Sequence, residues 1–258
     1  MRKLLLTAGG ILLAGALPLL AQAPAAAPGE AQKKAAPAAG AATTNKAAAS
    51  PFDRALLNPA MLSDKAPDVF DVKFETTKGD FTMRVTRVWA PLGADRFYNL
   101  VKHHFYDGAS FFRVLDGFVV QFGISAYPPV SAAWKNTNIK DDPVKQSNKS
   151  SYVTFATGGP NTRTTQVFIN LGNNSRLDGV GFSPFGQVIE GMTIVVKLYD
   201  GYGEGAPSGK GPDQNKIETL GRPYLDKGWP KLDSIKTVTI LSPAPAKNGG
   251  AAPATKKN

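Results

Sequence analysis

The 258-residue chain contains no cysteine. This absence excludes disulfides, a thiol nucleophile and a lipid-attachment cysteine. Any folded part must therefore be held together by packing alone, whatever the redox state of its compartment.

Histidine is almost absent too, since only His103 and His104 occur. Neighbouring residues on a helix point about 100° apart, so the pair cannot hold a metal on one helix face. We interpret both as solvated residues at a helix end, and no histidine suits a hydrolase triad. Asp141-Asp142 before Pro143 reads as a turn, with a weak cation site as the alternative.

The usual phosphate and nucleophile motifs are also missing. The sequence has no GKS or GKT phosphate loop and no GxSxG elbow. GYGEGA at 201–206 fits the dinucleotide pattern GxGxxA, but Pro207, Ser208 and Gly209 follow where that motif needs a helix. We predict neither a cofactor nor a metal.

The N-terminus has the layout of a secretory signal. Arg2 and Lys3 precede an uncharged, Leu-rich run over 4–20, and small residues follow. We predict a signal peptide over 1–23 with cleavage near 23–25, after Ala23 or after Ala25 because Pro24 hinders the first site. An uncleaved anchor is the alternative, since the run approaches the ~18 apolar residues that span a bilayer.

The two ends are low in complexity and carry most of the positive charge. Residues 24–50 and 243–258 are mainly Ala, Pro, Thr, Gly and Lys, which predicts a disordered linker and a disordered basic tail. Of the net charge of +10, +2 lies in 1–23, +2 in 24–50 and +3 in 243–258, which leaves +3 for 51–242. That distribution argues against nucleic-acid binding.

The middle, 51–242, is long enough for one domain. Strict alternation from Val69 to Glu75 and from Phe81 to Thr86, around a Lys78-Gly79 turn, predicts an antiparallel hairpin with one wet face. Pro91 opens a helical pattern that ends at Asp107-Gly108. Further short apolar runs occupy 111–115, 118–122, 152–156 and 166–171 and indicate a sandwich or barrel.

The C-terminal part of the domain is less regular. Residues 190–199 have the spacing of a second helix, and 234–241 alternate as a final strand. Between them, 200–230 is rich in Gly and Pro, which indicates a long excursion with one short helix near 217–225.

Arg113 and Gln121 are polar residues inside the apolar stretch SFFRVLDGFVVQFG, and Gln166 occupies a similar place in TTQVFI. A strand-edge arginine with its charged head in water is the simple explanation. Two glutamines in similar settings favour a different explanation. In it, side-chain amides hold the guanidinium beside an apolar hole, without a paired carboxylate.

These segments resemble the cyclophilin-type peptidyl-prolyl isomerases. YDGASFFRVLDGFVVQFG from Tyr106 is similar to the family signature Y-x-G-x-x-F-x-R-[IV]-x-x-G-F-x-x-Q-x-G. GGPNTRTTQVFI and LDGVGFSPFGQVIEGM are similar to two further family blocks, and the similarity covers about 70–242.

The resemblance implies an all-β fold: a closed eight-stranded antiparallel barrel capped by two α-helices. It implies that Arg113 is catalytic and that Gln121 supports its guanidinium. The implied substrate-binding residues share a proline pocket and its peptide groove; they are Phe118, Val119, Ala156, Thr157, Gln166, Phe168, Leu177 and Phe182.

The chain departs from the family pattern at several of these positions. Arg176 stands where many members have tryptophan, so we expect weaker binding of cyclosporin-like macrocycles. The loop from Asp178 to Phe185 is one residue longer than usual, and we select Phe182 to complete the pocket wall. Thr165 replaces a small serine.

The predicted function is therefore catalysis of rotation about X-Pro bonds, with proline-containing peptides and unfolded exported proteins as partners. We expect a monomer in a bacterial periplasm or cell envelope, without nucleic acid and without a stable transmembrane segment after cleavage. Two alternatives remain: a proline-binding chaperone or holdase with little turnover, and an envelope-associated structural protein that uses its Ala/Pro/Lys tails.

Overall fold

The computed structural model describes residues 50–241. The predicted signal peptide, nearly all of the 24–50 linker and the 243–258 tail lie outside this range, so those assignments stay predictions. Within the described range, no helix combines the length and the apolar character needed to cross a membrane.

In the described part of the chain eight strands form one antiparallel sheet in the order β3-β4-β6-β5-β7-β2-β1-β8. Their bounds are β1 (Val69–Thr76), β2 (Asp80–Thr86), β3 (Arg113–Leu115), β4 (Val119–Phe122), β5 (Tyr152–Phe155), β6 (Val167–Asn170), β7 (Pro184–Glu190) and β8 (Ile235–Leu241). The predicted hairpin, the four short strands and the final strand are confirmed, whereas β7 was not recognised in the sequence.

The sheet is curled but open, so the prediction of a closed barrel is wrong. Its edge strands β3 and β8 form no ladder with each other. Only the segment before β3 reaches the start of β8: the Gly108 N–H donates to the Ile235 carbonyl at 3.0 Å and the Ile235 N–H to the Ala109 carbonyl at 2.8 Å. Because β3 is only three residues long, it is too short to form a continuous hydrogen-bonded ladder with β8.

Within residues 50–241 five α-helices accompany the sheet, whereas the sequence pattern indicated three and the resemblance implied two that cap the barrel. They are α1 (Pro91–Lys102), α2 (Pro128–Trp134), α3 (Met192–Val195), α4 (Gln214–Leu220) and α5 (Arg222–Gly228). The helix expected over 190–199 shrinks to a short one because β7 runs on to Glu190 and Gly191 turns the chain at φ +76°. The helix expected near 217–225 divides into α4 and α5 at Gly221, where φ is +63°.

The core lies on the concave side of the sheet and is rich in aromatic rings. The Phe122 ring lies 5.8 Å from Phe74, 5.7 Å from Tyr106 and 5.3 Å from Phe111, each in an edge-to-face arrangement. α1 adds Phe97, whose ring centre lies 5.0 Å from that of Phe185. This packing fixes β4 firmly, and β4 carries part of the candidate site on its other face.

Candidate active site

The strand register places Arg113, Gln121 and Phe168 in a row across three strands. Arg113 of β3 is paired directly with Gln121 of β4, and Gln121 is paired with Phe168 of β6. Directly opposed residues in an antiparallel sheet project from the same face. Their neighbours Val120 and Ile169 are paired with each other and are buried in the core. The alternation therefore turns Arg113, Gln121 and Phe168 to the outer face.

That outer face forms the floor of a pocket of about 250 Å³. Its lining comprises nine of the ten residues expected from the sequence: Arg113, Phe118, Val119, Gln121, Ala156, Thr157, Phe168, Leu177 and Phe182. Phe168 and Phe182 meet edge to face with ring centroids 5.6 Å apart. Phe182 therefore lies in the wall at the position selected for it.

A chain of side-chain hydrogen bonds runs through the amides. Arg113 Nη1 donates to Gln121 Oε1 at 3.1 Å, and Gln121 Nε2 donates to Gln166 Oε1 at 2.9 Å. Gln121 is only 9% exposed, so its amide is held in one orientation by partners on both sides. The sequence-based expectation that amides brace the guanidinium agrees with this geometry.

The expectation that Arg113 lacks a paired carboxylate is wrong. Arg113 Nε donates to Glu204 Oε1 at 2.6 Å, and Nη2 donates to Glu204 Oε2 at 2.7 Å. Glu204 belongs to the GYGEGA segment that was set aside as a false nucleotide motif. Nothing in the local sequence indicates this pair, because 91 residues separate its members.

Gln166 does not line the 250 Å³ pocket itself. It lines an adjoining pocket of about 320 Å³, together with Gly158, Thr162 and Gln214, and the two pockets share Gln121, Ala156 and Thr157. The Ala156 N–H donates to the Gln166 carbonyl at 2.9 Å, so any main-chain pairing at Ala156 is left to its carbonyl oxygen. The site is thus a groove with two compartments.

Arg176 lies beside the pocket rather than in its lining. Its guanidinium carbon is 4.8 Å from the centre of the Phe118 ring, and that of Arg113 is 5.8 Å from the same ring. Cations are attracted to the faces of aromatic rings at such distances. Phe118 therefore links the arginine of the pocket with the arginine at the position where many family members have tryptophan.

A buried asparagine anchors the loop that carries Leu177 and Phe182. Asn148 Nδ2 donates to Asp178 Oδ1 at 2.7 Å and to the Phe182 carbonyl at 2.9 Å, and its own carbonyl oxygen accepts from the Thr154 hydroxyl at 2.8 Å. Asn148 is fully buried. One side chain thus ties the wall residue Phe182, and Asp178 next to the wall residue Leu177, to β5.

The carboxyl of Asp178 is ionised in this network. Burial acts to raise its pKa, but hydrogen bonds from the Ser147 hydroxyl and from Asn148 outweigh burial and hold the pKa below its usual range. Because the pKa is lowered on folding, the anchor is fully effective at neutral pH. It is lost only as the pH falls through the lowered value.

Within residues 50–241 no three histidine or acidic side chains lie close enough to hold a metal ion. His103 and His104 face Asp53 and Asp107 at 2.7 and 3.2 Å. Asp141 is paired with Arg163, and Asp142 accepts the N–H groups of Leu92 and Gly93 at the start of α1. The aspartate pair is thus accounted for by protein partners.

Fold and pocket together define a class: an antiparallel β protein with an apolar groove and a braced arginine at its floor. A family model described as "Cyclophilin type peptidyl-prolyl cis-trans isomerase/CLD" matches residues 71–220, which is more than half of the chain. The chain belongs to the cyclophilin-type peptidyl-prolyl cis-trans isomerase family.

Curated relatives agree with this assignment. The chain is 29% identical over 142 residues to a peptidyl-prolyl cis-trans isomerase of Acinetobacter baylyi, covering 49% of this chain and 70% of the relative. It is 30% identical over 135 residues to peptidyl-prolyl cis-trans isomerase ppi1 of Schizosaccharomyces pombe, covering 50% and 84%.

A solved cyclophilin-type isomerase of Cryptosporidium parvum matches with a TM-score of 0.49 at 19% identity, covering 68% of this chain and 99% of that one. A second structure of that protein was solved in the presence of the dipeptide Ala-Pro.

We predict that Asn148→Ala lowers the free energy of unfolding by about 1–3 kcal/mol, because it leaves the buried Thr154 hydroxyl and the part-buried Phe182 carbonyl without these partners. It should also weaken binding of a proline peptide, since the wall loses its anchor. Urea denaturation and a peptide titration measure the two effects. Asn136→Ala, at an exposed position, is the control and should change neither. Wild-type stability in Asn148→Ala would contradict this account of the loop.

Proposed function

We propose that this chain catalyses rotation about X-Pro peptide bonds in the 250 Å³ pocket, with Arg113 as the catalytic donor. The observation that carries the proposal is the placement of a guanidinium, fixed by an amide chain, at the floor of an apolar pocket. Membership of the isomerase family supports it.

The reaction needs neither a nucleophile nor a metal. Rotation about an X-Pro bond is slow because it breaks the conjugation of the C–N bond, with a barrier of ~18–20 kcal/mol. No covalent bond is made or broken. A catalyst therefore has only to bind the twisted amide more tightly than the planar one.

Arg113 can provide that preference. As the amide twists, the proline nitrogen becomes pyramidal and regains a lone pair that can accept a hydrogen bond. Arginine has five N–H groups. In Arg113 three of them donate to Gln121 and Glu204, which leaves one on Nη1 and one on Nη2. A fixed donor that meets the lone pair only in the twisted state stabilises that state selectively.

The rest of the pocket holds the substrate. Phe168 and Val119 are 5% and 2% exposed and offer the proline ring an apolar surface that excludes competing water. We assign Leu177, Phe118 and Phe182 to the surrounding wall. Gln166 and the main chain at Ala156 and Thr157 would contact the peptide on the side of the adjoining pocket.

Arg113→Ala should lower kcat/KM for an Ala-Pro peptide by about 10²–10³-fold, the range seen when one transition-state donor is removed. The protein should stay folded, because the Glu204 side chain is 38% exposed and remains hydrated when it loses its partner. Exchange NMR gives the rate, and circular dichroism verifies the fold.

Arg84→Ala is the matched control. Arg84 makes the same two-pronged bond to a carboxylate, Asp71, at 2.8 Å, but lies on β2, outside both pockets. It should retain the wild-type rate. A folded Arg113→Ala with near-wild-type exchange would refute the mechanism. Tight peptide binding by the wild type without faster exchange would instead favour the holdase alternative.

Arg176 accounts for the weak macrocycle binding that we propose. A charged, hydrated guanidinium packed on Phe118 replaces the apolar tryptophan that many family members have. Arg176→Trp should therefore strengthen binding of a cyclosporin-like macrocycle, by about tenfold if one large apolar contact is gained. Calorimetric titration checks this, with turnover of the peptide as the companion measurement. If Arg176→Trp bound the macrocycle no more tightly than the wild type, residue 176 would not determine the affinity for the macrocycle.

We also propose that the mature protein acts outside the cytoplasm, in a bacterial periplasm or envelope, as a monomer on unfolded exported chains. The N-terminal pattern of Arg2, Lys3 and the 4–20 apolar run supports export. Expression of the full chain in a bacterium should give a protein that starts near Pro24 or Ala26 in the periplasmic fraction. Intact mass spectrometry locates the cut. An unprocessed chain in the cytoplasm would overturn the proposal, and an unprocessed chain in the membrane would favour the anchor.

A further inference from the structure

Glu204 makes the most extensive contact with the arginine of the pocket. Its two carboxylate oxygens accept from Arg113 Nε at 2.6 Å and Nη2 at 2.7 Å, a two-pronged geometry that fixes the plane of the guanidinium as well as its position. Gln121 alone, with a single bond at 3.1 Å, leaves that plane free to rotate. The orientation of the remaining N–H groups therefore depends on Glu204.

The loop that carries Glu204 is itself well fixed. The Gly211 N–H donates to the Glu204 carbonyl at 2.8 Å, and the Gly205 N–H donates to the carboxylate Oε1 at 2.9 Å. A Cβ on Gly211 would lie 2.8 Å from the Glu204 carbonyl oxygen, so the close return of the chain requires glycine there. The Trp229 indole N–H holds the same loop through the Lys210 carbonyl at 2.8 Å.

The charges of the two side chains favour the pairing of Glu204 with Arg113. The hydrogen bond from Arg113, together with that from the Gly205 N–H, holds the pKa of Glu204 below its usual range against the effect of burial. The carboxylate is therefore ionised at neutral pH. It compensates the charge of Arg113, whose side chain is only 19% exposed.

The position of Glu204 indicates that it orients Arg113 and does not block the pocket. Glu204 is not among the residues that line the 250 Å³ pocket, whereas Arg113 is. The carboxylate takes the Nε and Nη2 edge of the guanidinium, and Gln121 takes one N–H of Nη1, so one N–H is left on each terminal nitrogen. It therefore approaches Arg113 from outside the space that a proline ring would fill.

We infer that Glu204 is a positioning residue of this isomerase, which acts through Arg113 by fixing the direction of the two N–H groups left for the substrate. The inference rests on the proposed function of Arg113. It also gives a role to the Gly-rich part of the 200–230 excursion: this segment supplies a brace from outside the sheet for an arginine on a three-residue edge strand.

The test compares kcat and KM of Glu204→Ala and Glu204→Gln with the wild type by exchange NMR on an Ala-Pro peptide. Glu204→Ala should lower kcat about tenfold with KM changed less than twofold, because the donor is misdirected while the apolar pocket is intact. Glu204→Gln should recover part of the loss, since one amide oxygen can still accept from the guanidinium. A purely structural role would not produce this graded recovery.

Two further variants make the result specific. Asp226→Asn removes a carboxylate from the same excursion, where it is paired with Arg222 at 2.6 Å, and should leave kcat unchanged. In an Arg113→Lys background the effect of Glu204→Ala should shrink, because an ammonium has no plane to orient. Thermal unfolding of each variant verifies that the compared proteins are folded.

Wild-type or higher kcat in Glu204→Ala, or in Glu204→Gln where the alanine variant does not fold, would overturn the inference. A higher value would mean that the carboxylate competes with the substrate. An equal loss in Asp226→Asn would also overturn it and assign the effect to the stability of the excursion. These outcomes differ from failure of the proposed function, in which Arg113→Ala itself keeps the wild-type rate.

Discussion

The two-residue alternation of β3, β4 and β6 is the constraint on which the site depends. Because Val120 and Ile169 must lie in the aromatic core, their neighbours Gln121 and Phe168 must project outward, and the register then places Arg113 beside them. A slip by one residue in β4 would bury Gln121 and expose Val120. Core packing around Phe122 therefore fixes the direction of the face that carries Arg113 and Gln121.

Catalysis without covalent chemistry makes strong demands on orientation. A single guanidinium contributes only if its free N–H groups point to the place where the lone pair forms. Here the amide of Gln121, which is fixed in turn by Gln166, holds one side of Arg113, and the carboxylate of Glu204 holds another. Bracing from two separate parts of the chain compensates for the position of Arg113 on a short edge strand.

Much of the sheet and most of the pocket could be predicted from the sequence, and the missing parts have physical reasons. Alternation revealed the β1–β2 hairpin, and polar residues within apolar runs revealed Arg113 and Gln121. β7 was missed because Pro184 and Gly186 are unfavourable in strands. The structure nevertheless needs glycine at 186, since a side chain there would collide with the main chain of β2. Glu204 was missed because pairing across 91 residues leaves no local pattern. The expected closed barrel came from resemblance, and the shortness of β3 decides against it.

The central claim, that a proline ring occupies the pocket beside Arg113, is tested most directly by intermolecular nuclear Overhauser effects. The account predicts contacts from the proline ring protons of an Ala-Pro peptide to the aromatic protons of Phe168 and Phe182, whose rings lie 5.6 Å apart in the wall. Contacts confined to Gly158 and Thr162 in the adjoining pocket would contradict it, because Arg113 does not line that pocket.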